Sequence, residues 1–113
     1  MTESVHAQAQ TANSTTTGVF ALLKAKPGVT REQVMAIMPA EVRATVKLYL
    51  EGKIRDWYAR GDGTGAVFFL NVRDVAEAKA VMDSLPLGKE DLLDHEYVAV
   101  GPLMPLRLLL GGQ

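Results

Sequence analysis

Cysteine is absent from this chain of 113 residues. That removes disulfides, thiolate catalysis and thiolate metal sites, and it fits a reducing compartment such as the cytoplasm. An excess of either charge is also missing: 12 basic against 13 acidic residues leave a net charge of −1. With no basic stripe to follow a phosphate backbone, nucleic acid is not an expected partner. No apolar run approaches the roughly 20 residues that span a bilayer, so no membrane partner is expected. Met1–Gly18 lacks a basic stretch followed by an apolar one and does not read as a signal peptide. Histidine is scarce. His6 lies in a polar stretch and His95-Glu96 lacks helical ligand spacing, so no metal site is expected. There is no dinucleotide fingerprint and no Ser-His-Asp signature, and no cofactor is expected. Gly61-Asp62-Gly63-Thr64-Gly65 resembles a phosphate loop in composition alone; no helix follows it, and it reads as a hairpin turn.

What is present suits a single globular domain. Apolar residues make up 48% of the chain, and the length allows one domain. Met1–Thr17 is rich in Ala, Gln, Ser and Thr and reads as a flexible tail, with the domain running from Gly18 to Gln113. Val19–Ala25 is a strand, and Thr30 with Gln33 three residues on forms a capping box. A helix then runs to about Leu50, with Gly52 as its stop. Pro39 inside it predicts a kink, or two helices with Pro39 opening the second. Ile54–Arg60 and Ala66–Val72 are two further strands around the glycine-rich turn. Asp74 caps a second helix, with Glu77 placed for a reciprocal bond and Val75, Ala78, Val81, Met82 and Leu85 on one face. Pro86 ends it, and Asp94–Val100 is the last strand. The order βαββαβ is the ferredoxin-like α+β arrangement. It predicts a four-stranded antiparallel sheet in order 4-1-3-2, with both helices on one face.

The face without helices should be polar in a monomer. Instead Ala66-Val67-Phe68-Phe69-Leu70 and Val19-Phe20-Ala21-Leu22-Leu23 are apolar on both faces. The same face of a second copy would cover it, which predicts a homodimer or larger homo-oligomer. The apolar segment Pro105–Leu110 adds to that expectation, unless it folds back over its own sheet.

Among residues able to do chemistry, Glu41 shares a helical stripe with Val34, Ile37, Met38, Thr45, Leu48 and Tyr49, while Arg43, Lys47 and Glu51 face out. A carboxylate in an apolar cleft has a raised pKa and suits proton transfer. If Pro39 opens a helix, Glu41 instead stands where a carboxylate favours the helix dipole. On the second strand, alternation sets Arg55 and Trp57 on one face and Asp56, Tyr58 and Arg60 on the other. Arg55 or Arg60 could hold an anion, or the charges could protect an edge strand. His95 is an acid/base candidate or a surface residue.

Several short motifs resemble muconolactone δ-isomerase and its relatives. They are Glu51-Gly52-Lys53-Ile54-Arg55, the Val72, Val75, Ala78 spacing, Met82-Asp83-Ser84-Leu85-Pro86-Leu87, and Tyr97-Val98-Ala99-Val100-Gly101-Pro102-Leu103. Leu85-Pro86-Leu87 is the most distinctive, and the resemblance covers about Val19–Leu103. It implies a ferredoxin-like fold paired through its sheets as a dimeric α+β barrel. It also implies a cofactor-free shift of a double bond in a lactone of aromatic catabolism. It places Glu41 as the acid/base and Arg55 on an arginine after a Gly-x-x step. Met38 and Asp56-Trp57-Tyr58 depart from the enzyme's pattern, and Gly88–Asp94 is longer.

The leading functional expectation is a cofactor-free isomerase acting on a small anionic, ring-derived metabolite. Glu41 moves the proton, and Arg55, Tyr58, Trp57 and His95 contribute to substrate binding. The alternatives are a non-catalytic oligomeric small-molecule-binding module and a cofactor-free monooxygenase of the same barrel superfamily.

Overall fold

The structure is a computed structural model and describes residues 16–102. The expectations for the N-terminal tail up to Thr15 and for the apolar segment from Leu103 onward lie outside those residues. Four strands, β1 (Gly18–Ala25), β2 (Ile54–Ala59), β3 (Gly65–Leu70) and β4 (Leu93–Val100), alternate with helices α1 (Arg31–Leu50), α2 (Val75–Asp83) and α3 (Pro86–Lys89). All strand pairs are antiparallel, in the order β4-β1-β3-β2. This is the ferredoxin-like arrangement expected from the βαββαβ order.

The core forms where strand alternation meets helical periodicity. Val19, Ala21 and Leu23 of β1 and Phe68 and Leu70 of β3 point to one face and are buried. Ala44 and Leu48 of α1, and Ala78 and Met82 of α2, join them in a single cluster, so both long helices cover the same face. On the opposite face Phe20 stacks on Phe69 across the β1–β3 pair, with ring centroids 4.6 Å apart.

The helix ends follow from local chemistry. At the start of α1, Gln33 N–H donates to Thr30 Oγ1 at 3.1 Å, and Thr30 N–H donates to Gln33 Oε1 at 2.7 Å. Gly52, at φ +84°, turns the chain out of α1. Its N–H donates to the Tyr49 carbonyl, and that of Lys53 to Leu48, the paired bonds of a glycine-terminated helix. For α2, Glu77 N–H donates to Asp74 at 2.8 Å, and the Glu77 side chain accepts from the Arg73 N–H, one residue before the cap.

Four expectations need correction. First, of the two outcomes expected at Pro39 the second helix does not form: α1 is one helix of 20 residues, running to Leu50 as expected, with Pro39 inside it. Proline removes only the bond to Met35, and the capping box and Gly52 define both ends around it. Glu41 is therefore not near a helix start. Second, α2 ends at Asp83, and Pro86 opens a new helical turn, α3, because its fixed φ suits a first helical position. Third, a register shift between Ile54 and Asp56 interrupts the β2–β3 ladder, and period-two alternation fails at Arg55. Fourth, Thr16 and Thr17 belong to the domain. Thr16 is buried, and Thr17 N–H donates to the Val100 carbonyl at 2.8 Å.

Gly65 is the tightest approach in the sheet: a Cβ there would lie 1.9 Å from the Leu23 carbonyl oxygen. Backbone on both sides cannot yield cheaply. Gly65→Ala is expected to cost about 2–3 kcal/mol, measured by urea unfolding. A change below about 0.5 kcal/mol would contradict the β1–β3 register.

Candidate active site

A cleft of about 730 Å3 separates α1 from the helix-side face of the sheet. One wall is α1, through Val34, Met35, Met38, Glu41, Val42, Thr45 and Val46. The other is the sheet, through Leu23, Ala25, Trp57, Ala59, Ala66 and Phe68, with Leu87 and Leu93 completing it. Met35 and Val42 remain 50% and 53% exposed, because one side of α1 faces open space and not the sheet. Trp57 lies edge-on to Tyr49, with centroids 5.0 Å apart.

Glu41 is the acidic group in this lining. It is 8% exposed, and its Oε1 accepts the Leu87 N–H at 2.9 Å. Its other oxygen makes no hydrogen bond to the described residues, and none of the described cations pairs with it. Burial pushes its pKa above the usual 4.5, outweighing the Leu87 N–H, which lowers it. One turn further on, the Thr45 hydroxyl donates to the Glu41 carbonyl at 2.7 Å, so that hydroxyl is already engaged. The site thus holds a carboxyl fixed at one oxygen, inclined to carry a proton, in an apolar wall.

Of the expected partners, only Trp57 shares the cleft. The β2 irregularity sends Arg55 to the face away from the helices, where its guanidinium lies 4.9 Å from the centroid of the Phe69 ring. There it donates to the Thr17 carbonyl at 2.8 Å and to Asn71 Oδ1 at 2.9 Å. Tyr58 pairs with Val67, a position on that same face, and is 56% exposed. His95 pairs with Leu23 on the helix side but does not line the cleft. It stacks parallel to Tyr97 at 6.0 Å, and burial holds its pKa below the usual value. Among the described residues no cluster of His, Cys, Asp and Glu could hold a metal ion, and no helix is long and apolar enough to cross a membrane.

Two functional features escaped sequence reasoning. The Leu87 amide, the partner of Glu41, is a backbone group and leaves no trace in residue type. The second apolar row of α1, at Met35, Val42 and Val46, was visible as helical spacing. It makes the apolar arc wider than one sheet contact needs, and that excess width is the signal of a cleft.

Because burial raises the Glu41 pKa, the folded state favours the protonated form. The sign follows from linkage. Below the usual carboxyl pKa both states are protonated and Glu41 costs nothing; as pH rises through its raised folded value, stability is lost. Glu41→Gln lacks this loss, so its stability relative to wild type should increase from pH 4 to pH 8 (about the range that brackets such a carboxyl), measured by urea unfolding. Parallel pH profiles would show that the carboxyl is not buried as described.

No protein-family model and no curated protein matches this chain.

Proposed function

We propose that the protein is a cofactor-free isomerase that moves a proton on a small anionic, ring-derived metabolite such as an unsaturated lactone. The reading rests on one observation: the Glu41 carboxyl, nine-tenths buried, lies in the wall of an apolar cleft with one oxygen held by the Leu87 amide and the other without a partner among the described residues. As carboxylate, Glu41 takes a proton from the carbon next to the lactone carbonyl, and the electron pair of that C–H bond enters a dienolate. The carboxyl then returns the proton to the far carbon of the conjugated system, which relocates the double bond. A carboxyl whose pKa is raised by burial suits both halves of this step. The muconolactone isomerase-like motif Leu85-Pro86-Leu87 gains a physical role in this reading, since it supplies the amide that fixes Glu41. The cysteine-free composition agrees with a cytoplasmic setting.

The protein acts as a homodimer in this proposal, with the helix-free sheet faces together. Phe20, Leu22, Val67 and Phe69 form an apolar centre there, and Tyr58 and Val98 are exposed beside it. A second reading, an oligomeric binding module without catalysis, draws on a specific observation. Arg55 and Tyr58 open on the opposite face and the Thr45 hydroxyl is engaged, so among the described residues none of these side chains stands ready beside Glu41 to stabilise an enolate.

Glu41→Gln keeps an acceptor for the Leu87 N–H and should fold normally, while turnover of an unsaturated lactone falls about 100-fold or more. Turnover retained in this variant removes Glu41 from the chemistry; a wild-type protein that binds but never converts lactones points to the binding module. For the assembly, light scattering at micromolar concentration should give twice the chain mass, with more than about 1,000 Å2 buried. A monomer would rule out the sheet-to-sheet pair.

A further inference from the structure

We propose that the cleft takes an amphiphilic carboxylate whose apolar body is longer than a single ring. Its anionic end is held by Arg31, and its body lies along α1 past Glu41. The inference rests on the reading of this cleft as the ligand site, and it specifies the class of ligand.

Size is the first argument. A volume of about 730 Å3 falls in the range of pockets that enclose drug-sized ligands, so beside a ring at Glu41 the cleft has room for an apolar extension of the same ligand. The apolar wall of α1 runs from Val34 to Val46, a length of about 18 Å at the helical rise per residue. Met35 and Val42 are half-exposed along it. An elongated apolar body would cover them; a compact one would leave them wet.

Charge is the second argument. Besides Glu41, the ionisable residues bordering the cleft are Lys24, Lys26 and Arg31. Lys26 is taken by Asp91 at 2.7 Å. Lys24 pairs with Gly65 and Asp94, at a strand position that faces away from the helices. Arg31 remains, with no ion pair among the described residues. It is the first residue of α1, where a cation opposes the helix dipole and an anion is favoured. A ligand carboxylate there would satisfy both the guanidinium and the helix start. The cleft is thus cationic at one end and apolar along its length, complementary to an amphiphilic acid.

The chain has one tryptophan, Trp57, and it lines the cleft, so its emission reports occupancy. Titrating the full-length protein with decanoate, decanamide and butyrate tests each term. Decanoate should bind at least ~10-fold tighter than butyrate through its apolar body, and ~10-fold tighter than decanamide through its charge. Arg31→Gln, an exposed substitution, should abolish the preference for decanoate over decanamide and leave decanamide binding within about twofold. Val42→Asp should weaken decanoate and decanamide alike. Equal affinity for decanoate and decanamide, an Arg31→Gln variant that keeps the preference, or no response of Trp57 to decanoate would each overturn the proposal. The isomerase reading is judged separately: lactone turnover lost in Glu41→Gln, with no decanoate binding, keeps that reading and removes this one.

Discussion

The contact between the Leu87 amide and Glu41 joins the two halves of the molecule that form the cleft. A carboxyl brought into an apolar wall without a partner is costly, and here the partner comes from a different element. Pro86 opens α3 after α2 has stopped, which places the Leu87 N–H within 2.9 Å of Glu41 Oε1. The fit of α3 is tight, because a Cβ on Gly88 would lie 2.3 Å from the Met82 carbonyl oxygen. A larger residue would push α3 away and carry the amide with it. The hydrogen bond favours the charged carboxylate while burial favours the neutral acid, and burial is the larger effect. The opposition of the two leaves Glu41 able to hold a proton and able to release it.

The fold was readable wherever one local rule decided the outcome. The capping box at Thr30 and Gln33, the glycine stop at Gly52 and the alternation of Val19, Ala21 and Leu23 each depend on residues a few positions apart. Glu41 was readable for the same reason, since helical phase alone sets it among Val34, Met38 and Thr45. Arg55 was not. Its face depends on an irregularity in the pairing of β2 with β3, and one extra residue in a ladder reverses the side chain that period two assigns. The alternative of a second helix opening at Pro39 failed for a related reason. The cost of an interior proline is local, but whether the helix continues is settled by the tertiary contacts of Ala44 and Leu48 beyond it.

The placement of Arg55 bears on what the cleft can recognise. Its guanidinium is occupied on the helix-free face, joining the Thr17 carbonyl to Asn71, and Asn71 in turn donates to the Gly52 carbonyl at 3.2 Å. This network ties the start of β1 to the end of α1 and lies against the Phe20–Phe69 stack. The sheet separates it from Glu41, so Arg55 cannot hold a ligand that Glu41 touches. The two faces therefore divide the work. The helix-free face uses its arginine to close the domain, beside the Phe20–Phe69 stack. The helix side keeps a carboxyl and, among the described residues, an open apolar wall. In the proposed reading the counter-charge for an anionic ligand comes from the helix side as well, from Arg31 at the end of the cleft where α1 begins.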